Sequence, residues 1–250
     1  RQMCIRDSYK KLQRKGVLEA ECNKLVKTDR VTWGSCMVAC GDADGMVAGN
    51  TRHYAATVDK LMQSIGSRDD EIVFGLCVFV NRGRTIVIAD TNVIEYPTSE
   101  ELASIAKSSA RVAKLLGLDP KIAFLSHSTF GQPETDRTKR ISKAVEMLKD
   151  EKVDFLFDGE MQPDVALNNK YKGTYSFSNI VGSANVLVMP SIHAAAISIK
   201  MLKELSRGKV FGPLLIGLAQ PIEVAPLRSS SSEILNLASI AAYSSEIIKY

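Results

Sequence analysis

The sequence predicts an α/β fold with a largely parallel sheet, and three observations support this. Short β-rich runs alternate with helical patterns long enough to serve as crossover connections. A composition of 45% hydrophobic and 24% charged residues in 250 residues is that of a globular protein with a sizeable core. No apolar run reaches the roughly 18 to 20 residues that a membrane span requires.

The first third of the chain predicts two helices, one strand and one loop. Residues 17–27 and 52–65 have the apolar spacing of amphipathic helices. Residues 33–40 predict a buried strand, because they form a short apolar run. The glycine-rich stretch 41–50 is expected to break any regular element, and the polar stretch 66–71 is a candidate linker.

The remaining chain alternates strands with helices. Residues 72–80 and 85–90 flank the turn residues NRGR and predict a hairpin. Thr98 with Glu101 three residues later has the form of a capping box, which predicts a helix over 99–116 that ends at Gly117. Further strands are predicted at 121–126, 153–157, 185–189 and 210–216, and further helices at 134–149, 192–206 and from 231 onward.

Charge and cysteine content exclude several classes of protein. The net charge of +4 is mild and spread along the chain, so nucleic acid is not an expected partner. Five cysteines without a repeating framework predict reduced thiols and a cytoplasmic location. We expect no metal site, because Cys22, Cys36, Cys40 and three scattered histidines supply too few neighbouring ligands.

The first eight residues, RQMCIRDS, are interpreted as a non-native leader. They lack a start methionine and show neither helical nor strand periodicity. The residues that follow begin abruptly with a helix-like pattern rather than with a first strand. We therefore expect the chain to be a fragment whose N-terminal part is missing.

Four loops that follow predicted strands are candidate sites, since ligands of parallel sheets bind at the carboxyl ends of strands. The first loop contains Asp42, Asp44 and Gly45. Its glycines would let backbone amides approach a phosphate, although two aspartates oppose an anion unless a cation or an arginine intervenes. The loop either lines a site or makes a tight turn.

The second loop, SHSTFG, offers hydroxyl donors suited to a phosphoryl or carbonyl oxygen. These donors are Ser126, Ser128 and Thr129, and the imidazole of His127, which lies between them in the sequence, offers a further donor. The alternative is a serine and threonine turn ahead of the next helix.

The third loop carries the carboxylates Asp158, Glu160 and Asp164. They resemble a cluster for acid–base chemistry or for magnesium. Alternating residues after a strand point to different sides, however, and Asp164 would also cap the short segment after Pro163. We favour the interpretation without a metal.

The fourth loop places Arg228 before a run of serines at a helix start, where an anion would bind. Ser230 with Glu233 also makes a capping box, which explains both residues without a ligand.

Six motifs, in order, resemble those of the phosphate acetyl/butyryl transferase family. The resemblance runs from residue 9 to the end of the chain. Within the family, DGEM, the histidine of SHS and the ending QPIEVAPL are most similar to the C-terminal domain of large bacterial NADP-dependent malic enzymes, which follows a malate-oxidising half. The motifs are GDADGMVAG (41–49), IADTNV (88–93), KIAFLSHSTFG (121–131), DGEMQPDVAL (158–167), ANVLVMP (184–190) and GPLLIGLAQPIEVAPL (212–227).

The resemblance implies two α/β lobes with a ligand cleft between them, an architecture shared with isocitrate and isopropylmalate dehydrogenases. The first lobe would be residues 9–70 with 212–250, and residues 71–211 would be inserted as the second. Acetyl-CoA or CoA would be the ligand, and Asn185 joins the ligand-binding candidates. NADP and a divalent metal would belong only to the malate-oxidising half, and a homo-oligomer without nucleic-acid or membrane partners is expected.

One departure from the family affects its chemistry. Active members read Lys-Pro-Val, then Leu-Ser-Arg-Gly, then a catalytic aspartate. In an ungapped alignment the serine and arginine fall on Pro226 and Leu227, and the aspartate falls on Glu233. We therefore expect a regulatory acetyl-CoA-binding and oligomerisation domain with weak or no transferase activity.

Two alternatives remain open. In an active acyltransferase, a one-residue slip would let Arg228 steady the phosphate while Glu233 deprotonates the thiol. A purely structural assembly domain would have no affinity for CoA.

Overall fold

The structure is a computed structural model that describes residues 13, 18–69, 71–171 and 173–248. The proposed leader, residues 1–8, and the predicted helix start at Val17 lie outside the described residues. The chain divides into two compact units, the first Arg1–Val73 with Gly212–Tyr250 and the second Phe74–Phe211.

The chain alternates helices and strands, with a short 3₁₀ turn at Asn169–Tyr171. In chain order the elements are α1 Glu19–Thr28, α2 Arg30–Ala39, β1 Met46–Gly49, α3 Tyr54–Ser64, β2 Phe74–Asn81, β3 Arg84–Ala89, α4 Ser99–Leu115, β4 Lys121–Leu125, α5 Asp136–Asp150, β5 Leu156–Met161, α6 Pro163–Leu167, β6 Val186–Val188, α7 Ile192–Leu205, β7 Lys209–Ile216, β8 Ile222–Ala225 and α8 Ser231–Ile248.

A six-stranded sheet has the order β5-β4-β6-β3-β2-β7. Its strands β5, β4, β6, β3 and β2 lie wholly within the second unit. The pairs β3–β6, β6–β4 and β4–β5 are parallel, whereas β2 and β3 form the predicted antiparallel hairpin. Buried residues of β4 and β6 such as Ile122, Phe124 and Val186 lie in its interior. The predicted α/β class with a mainly parallel sheet is confirmed.

Helix α4 begins where its capping box predicts. Thr98 Oγ1 accepts from the Glu101 amide (3.2 Å), and Glu101 Oε2 accepts from the Thr98 amide (2.7 Å). Two amides of the first turn are thereby satisfied, and such a cap stabilises a helix by about 1 kcal/mol. No helix in the described ranges is long and apolar enough to cross a membrane.

The prediction of a strand over 33–40 is wrong, because helix α2 occupies these residues. Asp29 caps the helix by accepting from the Thr32 amide at 2.9 Å. The buried positions Val31, Ser35 and Val38 recur every three to four residues, which is the helical period. Cys36 and the helix-terminating Cys40 still share a face, since four residues make about one helical turn.

The sequence predicts no regular element over 41–50, yet this stretch includes strand β1. The strand pairs in parallel with β8, Met46 opposite Ile222 and Gly49 opposite Ala225. The backbones of β1 and β8 approach so closely that a Cβ on Gly49 would collide with the Ala225 carbonyl oxygen. Four residues are too short to show a strand period.

Strand β5 begins three residues later than the predicted strand 153–157. Its first pairing is Leu156 with Lys121, because the neighbouring strand β4 itself begins at Lys121. The strand also ends later, at Met161, so it includes Asp158 and Glu160, whose side chains are both buried. These carboxylates therefore belong to the sheet and not to the loop after it.

Candidate functional site

The carboxyl ends of β3, β4 and β6 meet at one edge of the second unit's sheet, because these strands are parallel neighbours. The loops that leave this edge begin at Asp90, Ser126 and Met189. In parallel α/β sheets this is the edge where ligands bind. The predicted hydroxyl loop is therefore on the appropriate side of the sheet.

Asp90 shapes the first of these loops. Its buried carboxylate accepts backbone N–H bonds from Gly75, Asn92, Val93 and Ile94 at 2.6 to 3.2 Å. Burial raises the pKa of Asp90, and the four N–H donors oppose that rise. The residue acts as a loop organiser, a role that sequence reasoning did not assign to it.

The hydroxyl loop Ser126–Thr129 turns tightly against β5. The Ser126 amide donates to the Met161 carbonyl at 3.0 Å, and the Ser128 amide donates to Ser126 Oγ at 3.4 Å. Thr129 Oγ1 accepts from the Gln162 amide at 3.2 Å. Ser126 and Ser128 are buried, whereas His127 is exposed at the tip. The structure thus brings these four predicted residues together.

Glu160 of β5 holds this loop in place through hydrogen bonds. It is buried, and its Oε1 accepts from the Gly131 amide (2.6 Å) and from Ser128 Oγ (3.2 Å). Its Oε2 accepts from Ser142 Oγ at 2.6 Å. With both oxygens engaged, the carboxylate serves as an anchor that positions the loop.

A cavity of about 320 Å³ opens beside the hydroxyl loop, wholly within the second unit. Its lining is mostly apolar and includes two arginines of α5. Its described lining contains no carboxylate. The lining residues are Tyr96, Leu125, Ser126, His127, Arg137, Arg140, Ile141, Pro163, Met189, Pro190, Ser191, Ala194 and Ser198.

Two arginines give this cavity its positive charge, and we call it the arginine cavity. The Arg137 guanidinium carbon lies 5.9 Å from the centre of the Tyr96 ring. Arg140 Nη2 donates to the Pro190 carbonyl at 2.9 Å, while its buried Nε has no hydrogen-bond partner among the described residues. Burial, and then the nearby Arg137 charge, lower the pKa of Arg140. The arrangement suits an anion, and sequence reasoning missed both arginines.

Two further candidates of the second unit lie away from the cavity lining. Asp158 accepts from the amides of Gly159 (2.9 Å) and Asn179 (2.7 Å). Asn185 precedes β6 at the amino end of the sheet. Its side-chain Oδ1 accepts from the Lys121 amide, and its Nδ2 donates to the Asp119 carbonyl, each at 2.7 Å. Both side chains hold backbone in place, and neither joins the hydroxyl loop.

The third carboxylate of the predicted cluster, Asp164, stands in the first turn of α6 and lines a separate polar groove. Asp158, Glu160 and Asp164 therefore have separate surroundings. No group of three or more His, Cys, Asp or Glu side chains in the described part of the chain could hold a metal ion.

The first unit has its own edge, where β1 and β8 end in parallel. Pro226, Leu227 and Arg228 leave β8 there, and the Arg228 amide donates to the Asn50 carbonyl at 3.2 Å. Arg228 is exposed and adopts a φ of 62°, in the left-handed region. Its side chain is therefore available at this edge.

Glu233 is held by the cap of α8. Its Oε2 accepts from the Ser230 amide (2.8 Å) and from Ser230 Oγ (3.0 Å), and its own amide donates back at 3.3 Å. The geometry is that of the capping box that the sequence offered as the alternative to a catalytic role.

The loop with Asp42, Asp44 and Gly45 precedes β1, so it lies at the opposite edge from Arg228. Its assignment to a carboxyl edge rested on the strand wrongly predicted over 33–40. Asp44 and Gly45 line a groove against α8. The structure does not bring this loop together with the other candidates of the first unit.

Comparisons with known proteins are consistent with this architecture. A model of the phosphate acetyl/butaryl transferase family matches residues 1–242. The chain is 47% identical over 235 residues to an NADP-dependent malic enzyme of Rhizobium meliloti, covering 94% of this chain and 31% of that protein. It therefore spans about a third of the malic enzymes it matches.

Shorter relatives match over more of their length. A phosphate acetyltransferase of Acetivibrio thermocellus is 30% identical over 255 residues, covering 96% of this chain and 75% of that protein. The crystal structure of a phosphotransacetylase from Streptococcus pyogenes superposes with a TM-score of 0.89 at 30% identity, covering 97% of this chain and 75% of that one. The family match spans nearly the whole chain, and the chain belongs to the phosphate acetyl/butyryl transferase family.

Proposed function

We propose that the chain is a regulatory acyl-CoA-binding domain of an NADP-dependent malic enzyme, with weak or no transferase activity of its own. The observation that carries this proposal is the carboxyl end of β8, which continues into Pro226 and Leu227. The family resemblance puts a serine and an arginine at these positions in active members. Loss of one transition-state donor typically costs about 10² to 10³ in rate, so the loss of two leaves little turnover.

The state of Glu233 supports the same conclusion. Its carboxylate is bonded to Ser230 in the cap of α8, so the carboxylate that would replace the family aspartate already has a structural task. To deprotonate the CoA thiol, Glu233 would have to break these bonds and leave the cap.

Binding without turnover is supported by the arginine cavity. The cavity is lined by two guanidinium groups, the exposed His127, the Ser126 hydroxyl and several apolar side chains. Phosphate groups with an attached apolar chain match this surface, and acyl-CoA has both. Occupancy would act on the malate reaction through a coupling free energy of about 1 to 3 kcal/mol.

The proposal has consequences for partners and location. We expect a homo-oligomer in the cytoplasm, without nucleic-acid or membrane partners. The described cysteines Cys22, Cys36, Cys40 and Cys77 form no disulfide with one another, which supports a reducing compartment. NADP and a divalent metal would bind the malate-oxidising part of the enzyme, and this domain would take acetyl-CoA or CoA as its ligand.

An active phosphate acyltransferase is the second candidate, favoured by the exposed Arg228 beside Pro226 and Leu227. In that reaction the CoA thiol would lose its proton to Glu233, and the thiolate sulfur would form a bond to the acetyl carbon. The bond from that carbon to the phosphate oxygen would break, and Arg228 would steady the departing phosphate.

Calorimetry and a turnover assay on the 250-residue chain separate these candidates. We expect acetyl-CoA to bind and acetyl phosphate with CoA to yield almost no thioester. Rapid thioester formation that Arg228→Ala abolishes would establish the transferase instead. Absence of both binding and turnover, with an oligomer seen by light scattering, would leave only the assembly role.

A further inference from the structure

Three aromatic rings of the second unit form a cluster at its surface. The Phe130 and Phe177 ring centres are 4.9 Å apart and meet edge to face, and Tyr175 lies 5.6 Å from Phe130. Phe177 and Tyr175 are almost perpendicular at 6.2 Å. The outermost ring, Phe177, has 66% of its surface exposed, although burial of a phenylalanine is favourable. We call these three residues the aromatic platform.

The platform stands on a fixed base. Phe130 has a φ of 50°, a left-handed conformation that is costly for a bulky side chain. Hydrogen bonds from the Phe130 amide to the Glu160 carbonyl (2.8 Å) and from the Gly131 amide to Glu160 Oε1 (2.6 Å) hold it there. The inner side of Phe130 packs against the hydrophobic core. Glu160 therefore maintains a strained backbone that presents an aromatic ring at the surface.

The platform and the arginine cavity share one loop. His127 lines the cavity, and Phe130 follows three residues later, so their Cα atoms are at most about 11 Å apart. Gln162 braces the connecting residues, because its Nε2 donates to the His127 carbonyl (2.9 Å) and its amide donates to Thr129 Oγ1 (3.2 Å). An exposed ring that a short loop joins to a cavity with two arginines suits a nucleotide, whose base can stack while its phosphates bind the guanidinium groups.

We propose that the aromatic platform stacks the adenine base of acyl-CoA, with Phe177 as the contacting ring, while the arginine cavity holds the phosphates. This inference rests on the proposed acyl-CoA binding and names the part of the ligand that the second unit recognises. An aromatic ring accepts any base face, so the contact supplies affinity for the nucleotide and not for the acyl group.

Calorimetry with two ligands tests the platform directly. Acetyl-CoA carries the base, whereas acetyl-phosphopantetheine has the same thioester arm without it. We expect Phe177→Ala to weaken acetyl-CoA binding by about 5- to 150-fold, the loss that removal of one base–aromatic stack produces, and to leave acetyl-phosphopantetheine binding unchanged. Phe177→Tyr keeps the ring and should bind acetyl-CoA like the unchanged chain.

Phe155→Ala is the matched control, because Phe155 belongs to another aromatic pair of the same unit, 5.9 Å from Phe157. It should alter neither affinity. Equal affinities of Phe177→Ala and the unchanged chain for acetyl-CoA would overturn the proposal, and so would equal weakening of both ligands. A changed oligomeric mass with unchanged ligand affinity would assign the platform to a subunit contact, which also overturns it.

A third ligand separates the two proposals. If adenosine 3′,5′-bisphosphate binds and Phe177→Ala weakens it while acetyl-CoA does not bind, the platform stands as a nucleotide site and the proposed function fails. If neither ligand binds, both fail. If acetyl-CoA binds equally to the unchanged chain and to Phe177→Ala, only the platform proposal fails.

Discussion

The carboxyl edges of the two units differ in the residues that come directly after their strands. In the second unit the edge leads into a hydroxyl loop and a cavity with two arginines. In the first unit β8 leads into Pro226 and Leu227, which supply no donor side chain, and Glu233 caps a helix. Under the proposed function, the groups that hold the ligand and the groups that would break its bonds belong to separate parts of this chain, so that one set can be lost alone.

The units also differ in how they bury carboxyl groups. In the second unit Asp90, Asp158 and Glu160 each accept two or more hydrogen bonds. In the first unit Glu223 is buried in β8 and accepts from the Leu215 amide at 2.9 Å. Burial, only partly offset by this bond, raises the pKa of Glu223 to about 8.

The largest expected effect comes from restoring donors to the first unit. The double substitution Pro226→Ser and Leu227→Arg should raise thioester formation from acetyl phosphate and CoA by about 10² to 10³, because it returns two transition-state donors. A spectrophotometric thioester assay measures it. Leu235→Arg adds the same charge at an exposed position of α8 and should change nothing. A double variant no faster than this control would mean that the edge lacks more than these two groups.

The second-largest expected effect is a change of stability with pH, which arises from a buried carboxyl group of the first unit. Since the folded pKa of Glu223 lies above its ordinary value of 4.5, its contribution to stability is complete below about pH 4.5 and is lost as the pH rises to about 8. We expect a fall on the order of 3 kcal/mol in unfolding free energy between pH 5 and pH 8 from this group. Urea unfolding at both pH values measures it.

Glu223→Gln keeps an acceptor for the Leu215 amide but does not titrate. The variant should lose most of this pH dependence and be more stable than the unchanged chain at pH 8. An identical pH profile for both proteins would show that another group controls the stability.

Removing one arginine of the cavity should have a smaller effect, confined to binding. Arg140→Ala should weaken acetyl-CoA binding by about 10- to 100-fold, because charge-assisted hydrogen bonds to a phosphate would be lost. Arg207→Ala, which removes an exposed charge of the same unit, serves as the control in calorimetry. Equal affinities of the two variants would place the anion elsewhere.

The smallest expected effects compare the two capping boxes. Thr98→Ala in the second unit and Ser230→Ala in the first should each cost about 1 kcal/mol of stability in urea unfolding. Both caps have reciprocal bonds of similar length. If Ser230→Ala left stability unchanged but altered thioester formation, Glu233 would have a chemical role in place of a structural one.

Much of the fold could be predicted because local signals agree with tertiary structure. The hairpin, the capped helix after Thr98 and the crossover helices all follow patterns visible in the residues. Helix α2 resembles a strand in its sequence, since valine, threonine and tryptophan dominate its start, and only the Asp29 cap indicates a helix. The wrong strand also displaced the Asp42–Asp44 loop to the wrong edge of its sheet.

The site was only partly predictable. Ser126 to Thr129 stood out because polar donors follow a buried strand directly. Arg137 and Arg140 were missed because they lie in a helix judged only by its apolar spacing. A signal was present nonetheless, because both arginines lie near the N-terminus of α5. Positive charge is unfavourable there with respect to the helix dipole, so such residues are candidates for a role other than helix stability. The hydrogen bonds from the Glu160 carboxylate to three residues far away in the sequence could not be predicted, because only the folded structure brings these residues together.

The parallel pairing of β1 with β8 sets an order of events during synthesis. Met46 pairs with Ile222, and the 175 residues between them, 47–221, include the whole second unit. At about 5 to 20 residues per second, the ribosome needs roughly 10 to 35 seconds to make them. The second unit is continuous in sequence and can fold in that interval, while β1 waits for its partner strand. Nascent chains would thus acquire the arginine cavity before the first unit closes.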